Sequence, residues 1–345
     1  MDIANSIRHR LEEREKSLSP FAARSNQARR DRPEEPSPVR TEFQRDRDRI
    51  IHCKAFRRLK HKTQVFIAPL GDHYVTRLTH TLEVSQVART IARALNLNED
   101  LTEAISLGHD LGHTPFGHVG EEVLNELYAE GFRHNEQSLR VVEVLEKDGK
   151  GLNLTHEVRE GILKHSKSRE GILGENWNAP DTLEGQICKI SDTIAYINHD
   201  IGDAIRAGLI TSYDLPHSTI NVLGQTHSVR INTLVSDVIE HSWAAIGLEE
   251  GKMAPVISLS PGILEAMNNL RDFLFERVYD ASATESESRK AREMIRGLYK
   301  YFTGNPDQLP EELRGLGIGV DRAAVDYIAG MTDLYALRIA EEVLK

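Results

Sequence analysis

The sequence predicts an all-α protein, and three observations carry that prediction. Apolar residues recur every three to four positions over many separate segments. Convincing alternation of apolar and polar residues, the mark of a half-buried strand, is nearly absent. Helix-start chemistry precedes one of the best periodic runs, where Asn98 is followed by Glu99 and Asp100.

At 345 residues the chain exceeds the size at which one core usually stops growing, so a large helical domain with a smaller appendage is expected. Hydrophobic residues are 39% and charged residues 28%, a balance that argues against disorder and against a membrane class. No apolar run approaches the roughly 18 residues that span a bilayer. The opening MDIANSIRHRLEEREK also lacks the apolar stretch of a signal peptide, so a cytoplasmic location is the expectation. Cys53 and Cys188 are too few for a disulfide framework and read as buried apolar thiols.

The net charge of −10 is uneven, since residues 1 to 62 hold 17 Lys/Arg against 10 Asp/Glu. Two readings of this basic stretch stay open: a guide for a polyphosphate or nucleic-acid strand, or a solvated arm. The proline-rich DRPEEPSPVR at 31–40 reads as a loop, making 1–42 a flexible basic arm ahead of a core at 43–208 and a C-terminal helical region at 209–345. Within the core, Ile50, Cys53, Phe56 and Leu59 predict one amphipathic helix with a basic end. A helix over about 79–95 buries Val84, Val87, Ala88, Ile91, Ala92 and Leu95, which turns His80 inward at its head. The helix capped by Asn98 buries Leu101, Ala104, Ile105 and Gly108, and His109 follows Ile105 by four residues. It ends in GHDLGHTPFGHVGE, where Gly112, Pro115 and Gly117 interrupt it. Further helices are expected over 119–129, 135–147, 156–165, 181–208, 228–246, 261–279, 286–302 and 321–343, with a short hairpin near 62–76 or 211–232.

Ten of the fifteen histidines lie between His52 and His165, which invites a metal or acid–base reading. A single inward His is more often a hydrogen-bonded core residue, but that reading weakens as inward polar residues accumulate. Neighbours on a helix diverge by about 100°, so His109 and Asp110 converge on one ion only at a helix end, which the Gly/Pro-rich turn supplies. Imidazole plus carboxylate suits manganese, iron, cobalt or magnesium. The helix over 181–208 adds a second carboxylate. Its apolar stripe is Ile187, Ile190, Ile194, Ile197, Ile201 and Ile205, while Asp192, Tyr196, His199, Asp200 and Asp203 form a polar stripe free of Lys, Arg and Glu. Such a stripe fits a cavity better than solvent.

The ordered motifs R-x-x-H at 77–80, H-D-L-G-H-x-P-F-G-H at 109–118, F-R-H-N-E-Q at 132–137 and S-D-x-I-A-Y-x-x-H-D at 191–200 resemble the deoxyguanosine triphosphate triphosphohydrolase branch of the HD superfamily. D-Y-I-A-G-M-T-D at 326–333 is similar to that family's C-terminal helix, whereas 209–320 carries little of the pattern. The resemblance implies an HD-domain helical core with additional C-terminal helices, and one divalent cation, manganese above all, on His80, His109, Asp110 and Asp192. It implies His118 and Glu121 as a proton-transfer pair and His134 as a second active-site histidine. Gln64, Arg77, His113, Tyr196 and Asp200 would touch the substrate, a deoxynucleoside triphosphate. It also implies a homo-oligomer, hexameric in some relatives. Thr193 departs from relatives that place a basic residue directly after the fourth ligand.

The expected reaction is hydrolysis of a 2′-deoxynucleoside 5′-triphosphate to deoxynucleoside and tripolyphosphate. Two alternatives remain beside it: another HD-type nucleotide phosphatase or phosphodiesterase, and a non-catalytic binder of nucleotides or single-stranded nucleic acid. Aromatic residues, the stacking platforms of such binders, are only 6% of the chain, which weighs against the last.

Overall fold

The computed structural model of the protein describes residues 3–64, 74–166, 179–248, 255–279 and 282–344. In chain order the helices are α1 (Ile3–Glu15), α2 (Glu42–His52), α3 (Lys54–Arg58), α4 (Arg77–Ala94), α5 (Glu99–Gly108), α6 (His118–Leu127) and α7 (His134–Arg140). There follow α8 (Glu146–Gly149), α9 (His156–Lys164), α10 (Leu183–Arg206), α11 (His217–Leu223), α12 (His227–His241) and α13 (Pro261–Leu274). The last are α14 (Ser282–Gly304), α15 (Glu311–Arg314), α16 (Val320–Ala329) and α17 (Asp333–Val343). The fold is all-α: among the described residues there is no strand, only an isolated antiparallel bridge between Thr63 and Thr76. No helix among them is long and apolar enough to cross a membrane.

The chain divides into two compact units that interleave along the sequence. Unit 1 comprises Met1–Ile51, Thr81–His109 and Asn153–Val278, and unit 2 comprises His52–His80, Asp110–Leu152 and Tyr279–Lys345. Neither follows the continuous segments 1–42, 43–208 and 209–345.

Unit 1 is built on the apolar stripes read from the sequence. Val84, Val87, Ala88, Ile91, Ala92 and Leu95 of α4 are buried, as are Leu101, Ala104 and Ile105 of α5. Asn98 caps α5 by accepting from the backbone N–H groups of Asp100 and Leu101. On α10 the stripe from Ile187 to Ile201 is buried, but Ile205, expected to continue it, is 39% exposed. Residues 3–42, expected to be a free arm, are tied down in this unit. Arg30 donates through Nη1 to Asp46 Oδ1 (2.5 Å) and through Nε to Glu42 Oε2 (2.7 Å), and Asp46 Oδ2 accepts from Thr155 N (2.8 Å) and Oγ1 (2.6 Å). Arg40, Arg45, Arg47 and Arg49 likewise pair with carboxylates, so these arginines are held in ion pairs rather than on a free arm.

Unit 2 holds its own core, in which Phe116, Val123, Leu124 and Phe132 pack with Ile295, Leu298 and Phe302 of α14 and with Ala324, Ile328 and Met331. Asp326 of α16 is a buried carboxylate that accepts from Gln137, Arg140 and Arg322.

Several expected helices are interrupted. The run through Ile50 and Leu59 is two helices, broken at Cys53, whose Sγ accepts the backbone N–H of Phe56. The helix expected over 321–343 stops at Ala329 and restarts after the cap Thr332. The helices expected over 135–147 and 261–279 pass into π-turns at Val141–Leu145 and Phe275–Tyr279, and α12 ends at His241. The hairpin considered at 211–232 is instead occupied by α11 and the start of α12, and the one at 62–76 falls partly outside the described residues. Cys53 and Cys188 are buried, and burial pushes both thiols up to about 12, as inert apolar thiols require.

Removing the Arg30 guanidinium would strand a fully buried carboxylate. Arg30→Met should therefore cost about 3 kcal/mol in chemical denaturation. A loss under about 0.5 kcal/mol, the usual scale of a surface change, would show that residues 3–42 do not belong to the fold of unit 1.

Candidate active site

The site begins where α5 stops. Gly108 is its last residue, His109 is the C-cap in helical conformation, and Asp110 opens a turn that lasts to Gly117. This is the helix end that an adjacent His-Asp pair requires if both are to serve one site. The turn is possible because of its glycines. A Cβ on Gly112 would lie 2.1 Å from Ser138 N and 2.6 Å from His134 O, so only glycine lets the turn meet the start of α7. Gly117 has φ +59°, and Phe116 before it has φ 61°, a left-handed conformation rare for an aromatic residue. The turn is pinned by Gly112 N to Ser138 Oγ (2.9 Å), His113 N to Asp110 O (3.1 Å) and Thr114 Oγ1 to Gly117 O (2.8 Å).

Most of the expected site residues stand in unit 2. Arg77 Nη1 donates to Asp110 Oδ2 at 2.7 Å, and His80 Nε2 is 3.9 Å from the same oxygen; all three side chains are buried. Asp110, His113 and His134 each bring a possible ligand atom within 4.8 Å of the others, and so do His113, His118 and Glu121. The His113 and His134 rings stack at 4.5 Å. Gln64 is buried and its backbone carbonyl accepts from Arg77 Nη2 (3.4 Å).

Glu121 is the hub of the histidines, touching the expected His118 but holding His134 more closely. His134 Nδ1 donates to its two oxygens at 2.9 and 3.0 Å and His134 N to Oε1 at 2.9 Å, whereas His118 Nδ1 stands at 3.5 Å. The His118 side chain is 73% exposed against 14% for His134, so the tight, desolvated pair is Glu121–His134. Burial alone would raise the Glu121 carboxyl, but His134, His118 and His113 hold it far below the usual carboxylate range. Burial works against the charged form of His134, yet Glu121 raises its pKa above the ordinary value. Burial, with Arg77 and His134 beside it, pushes His113 well down, so that imidazole is neutral.

Unit 1 carries the rest. His109 Nδ1 donates to Ser106 O at 2.7 Å, which fixes the tautomer and leaves Nε2 with the lone pair; its ring lies edge-on to His165 at 4.9 Å. A buried imidazole whose second nitrogen is tied to a carbonyl is the arrangement found in metal-ligating histidines. Its donor chemistry suits a divalent cation, as does that of the Asp110 carboxylate and the buried His80 imidazole in unit 2. On α10, Asp192 and Tyr196 are half-buried, and His199, Asp200 and Asp203 are buried, so the polar stripe is no solvated face. Burial, then Asp192, raise the Tyr196 phenol, with Arg271 of α13 opposing them. His199 Nδ1 is 2.8 Å from Asp200 Oδ1. Thr193 is buried with its hydroxyl turned back to Lys189 O (3.3 Å).

Sequence reasoning missed two residues around the turn. Lys62, read as part of a basic helix end, is buried and donates Nζ to the carbonyls of His113 and Ala329; burial, then Arg58, push its ammonium down to about 7. Asp333 accepts Phe116 N (3.1 Å) and Thr63 N (2.9 Å). The motif at 326–333 marked the second of these without giving it a task. Arg271, in the electrostatic range of Tyr196, lay in a region the motifs do not reach.

An HD domain model matches residues 77–197, and a phosphohydrolase-associated domain model matches 257–342, a region that the sequence motifs left largely unassigned. A deoxyguanosinetriphosphate triphosphohydrolase-like protein of Caldanaerobacter subterraneus is 58% identical over 341 residues, covering 98% of this chain and 95% of the relative. Proteins of the same name from Desulfatibacillum aliphaticivorans and Clostridium tetani are 49% and 48% identical, covering 96% and 98% of this chain and 96% of each relative. With the HD motif at the end of α5 and near end-to-end similarity at such identity, the chain belongs to the deoxyguanosinetriphosphate triphosphohydrolase-like family of HD-domain phosphohydrolases.

Proposed function

We propose that the protein hydrolyses 2′-deoxynucleoside 5′-triphosphates at the α-phosphorus, releasing deoxynucleoside and tripolyphosphate. The observation that supports this reading most is the Glu121–His134–His113 array in the same unit as Asp110, His80 and Arg77. The names of the relatives support the substrate class.

In this reading His80, His109, Asp110 and Asp192 hold one divalent cation, manganese in the first instance. A cation held there would supply Lewis-acid chemistry to the phosphate and to the attacking water. Arg77, fixed by Asp110, places positive charge for the phosphates, and neutral His113 donates a hydrogen bond to them. His134, kept charged by Glu121, stands near the attacked phosphorus. His118, loosely held by the same carboxylate and exposed, delivers the proton to the departing 5′-oxygen. Tyr196 and Asp200 follow Asp192 on one helix face and take the sugar, Tyr196 filling the space that a 2′-hydroxyl needs, and Gln64 contacts the 3′-hydroxyl. Thr193 offers the phosphates nothing, its hydroxyl being spent within the helix. A nucleic-acid-binding role for the basic stretch at 1–62 is disfavoured by the carboxylates that already pair with Arg30, Arg45 and Arg49.

With manganese, the wild-type protein should turn over deoxynucleoside triphosphates, and Asp110→Asn or Asp192→Ala should lose both the ion and turnover. Full metal content in both variants by elemental analysis contradicts the ligand assignment whatever happens to the rate. A second prediction comes from the raised pKa of His134. The imidazolium is present below that pKa and lost as pH rises through it, so it sets an alkaline limb in kcat/KM. Glu121→Gln removes the carboxylate that raises it, and the limb should move to lower pH, with kcat down about 10²-fold or more. An unmoved limb contradicts the role of the pair.

A further inference from the structure

We infer that Lys62 and Asp333 are positioning residues for the reaction proposed above, holding the turn that carries His113 and leads into His118. The inference rests on that reading, but its geometry lies wholly within unit 2. The turn is grasped at two points. At one, the buried Nζ of Lys62 donates to the carbonyl of His113 and, at 2.8 Å, to that of Ala329, the last residue of α16. At the other, Asp333 Oδ1 accepts Phe116 N at 3.1 Å, while Oδ2 accepts Thr63 N at 2.9 Å and the Thr63 hydroxyl. Asp333 is the first residue of α17, behind the cap Thr332, where the helix dipole favours a carboxylate. The corner between α16 and α17 therefore binds Phe116 directly through Asp333, and reaches His113 through Lys62, which bridges the carbonyls of His113 and Ala329.

The turn has reason to need holding. Phe116 sits at φ 61°, a left-handed conformation that strains a non-glycine residue, and Gly117 at φ +59° starts α6 immediately before His118. A backbone strained in this way persists only where its surroundings over-determine it. Here they do so through two buried side chains of opposite charge that are not themselves aimed at a phosphate. Lys62 and Thr63 are neighbours, so one dipeptide and one helix corner share the task. The amine holds two carbonyls whether it carries three protons or two, so the clamp does not depend on its charge.

The test uses the full-length, manganese-loaded protein and the variants Lys62→Met and Asp333→Asn, each scored per folded, metal-loaded molecule. A displaced turn should lower kcat by about 10²-fold with KM within about 3-fold, leave manganese stoichiometry unchanged and speed exchange of the Phe116 amide. The double variant should cost no more than the worse single one, because both grip one turn. Normal kcat in folded variants, or free-energy costs that simply sum, would overturn the inference. If neither variant folds, hydrogen exchange in the wild-type protein decides it. The Phe116 amide should be as protected as amides inside α6, and exchange at the rate of an exposed turn contradicts the clamp. Failure of the wild-type protein to release tripolyphosphate would sink the proposed reaction instead, since the exchange measurements do not depend on turnover.

Discussion

Everything at the candidate site depends on the chain being able to turn within Asp110–Gly117, and that turn depends on backbone meeting backbone at Gly112. With any side chain there, Ser138 N and His134 O would be struck, and α7 would have to move away. The close approach is what brings His134 alongside His113 and within reach of Glu121. A helix could not continue through these residues, and a longer loop would not fix where the imidazoles stand. The His-Asp pair thus works as a pair because the helix that carries it stops.

Electrostatics then divides labour among chemically identical side chains. His113 is buried beside a guanidinium, which disfavours its charged form, His134 is buried against a carboxylate that favours it, and His118 remains open to solvent. The Glu121 carboxylate is what raises His134 against the pull of burial. The same logic explains the N-terminal stretch. Its excess of arginine left a cationic guide or a solvated arm open, and several of those arginines stand in ion pairs instead, Arg30 reaching a fully buried Asp46.

The stripes of α4, α5 and α10 were legible in the sequence because burial follows the 3.6-residue period there, and so was the helix end at His109. The interruptions were not. Apolar positions continue through the break at Gly330–Thr332, where Ala329, Met331, Ala336 and Ala340 are all buried, so the period alone does not register the stop. The family resemblance paired His118 with Glu121, and helical spacing, which shows a contact at i and i+3, agrees with that pair. Such spacing is blind to the tighter contact thirteen residues on, which exists only once α7 has folded back. Lysine reads by default as solvated, and Lys62 is buried because two carbonyls, 51 and 267 residues away, receive its protons.

What joins these features is the claim that they serve attack on an α-phosphorus, with a protonated 5′-oxygen leaving. Hydrolysis of dGTP in water enriched in oxygen-18, with manganese present and both products analysed by mass spectrometry, tests that claim most directly. Breaking the bond between the α-phosphorus and the 5′-oxygen leaves one labelled oxygen in tripolyphosphate and none in deoxyguanosine. Label in the nucleoside, or pyrophosphate or orthophosphate as the primary product, would contradict it.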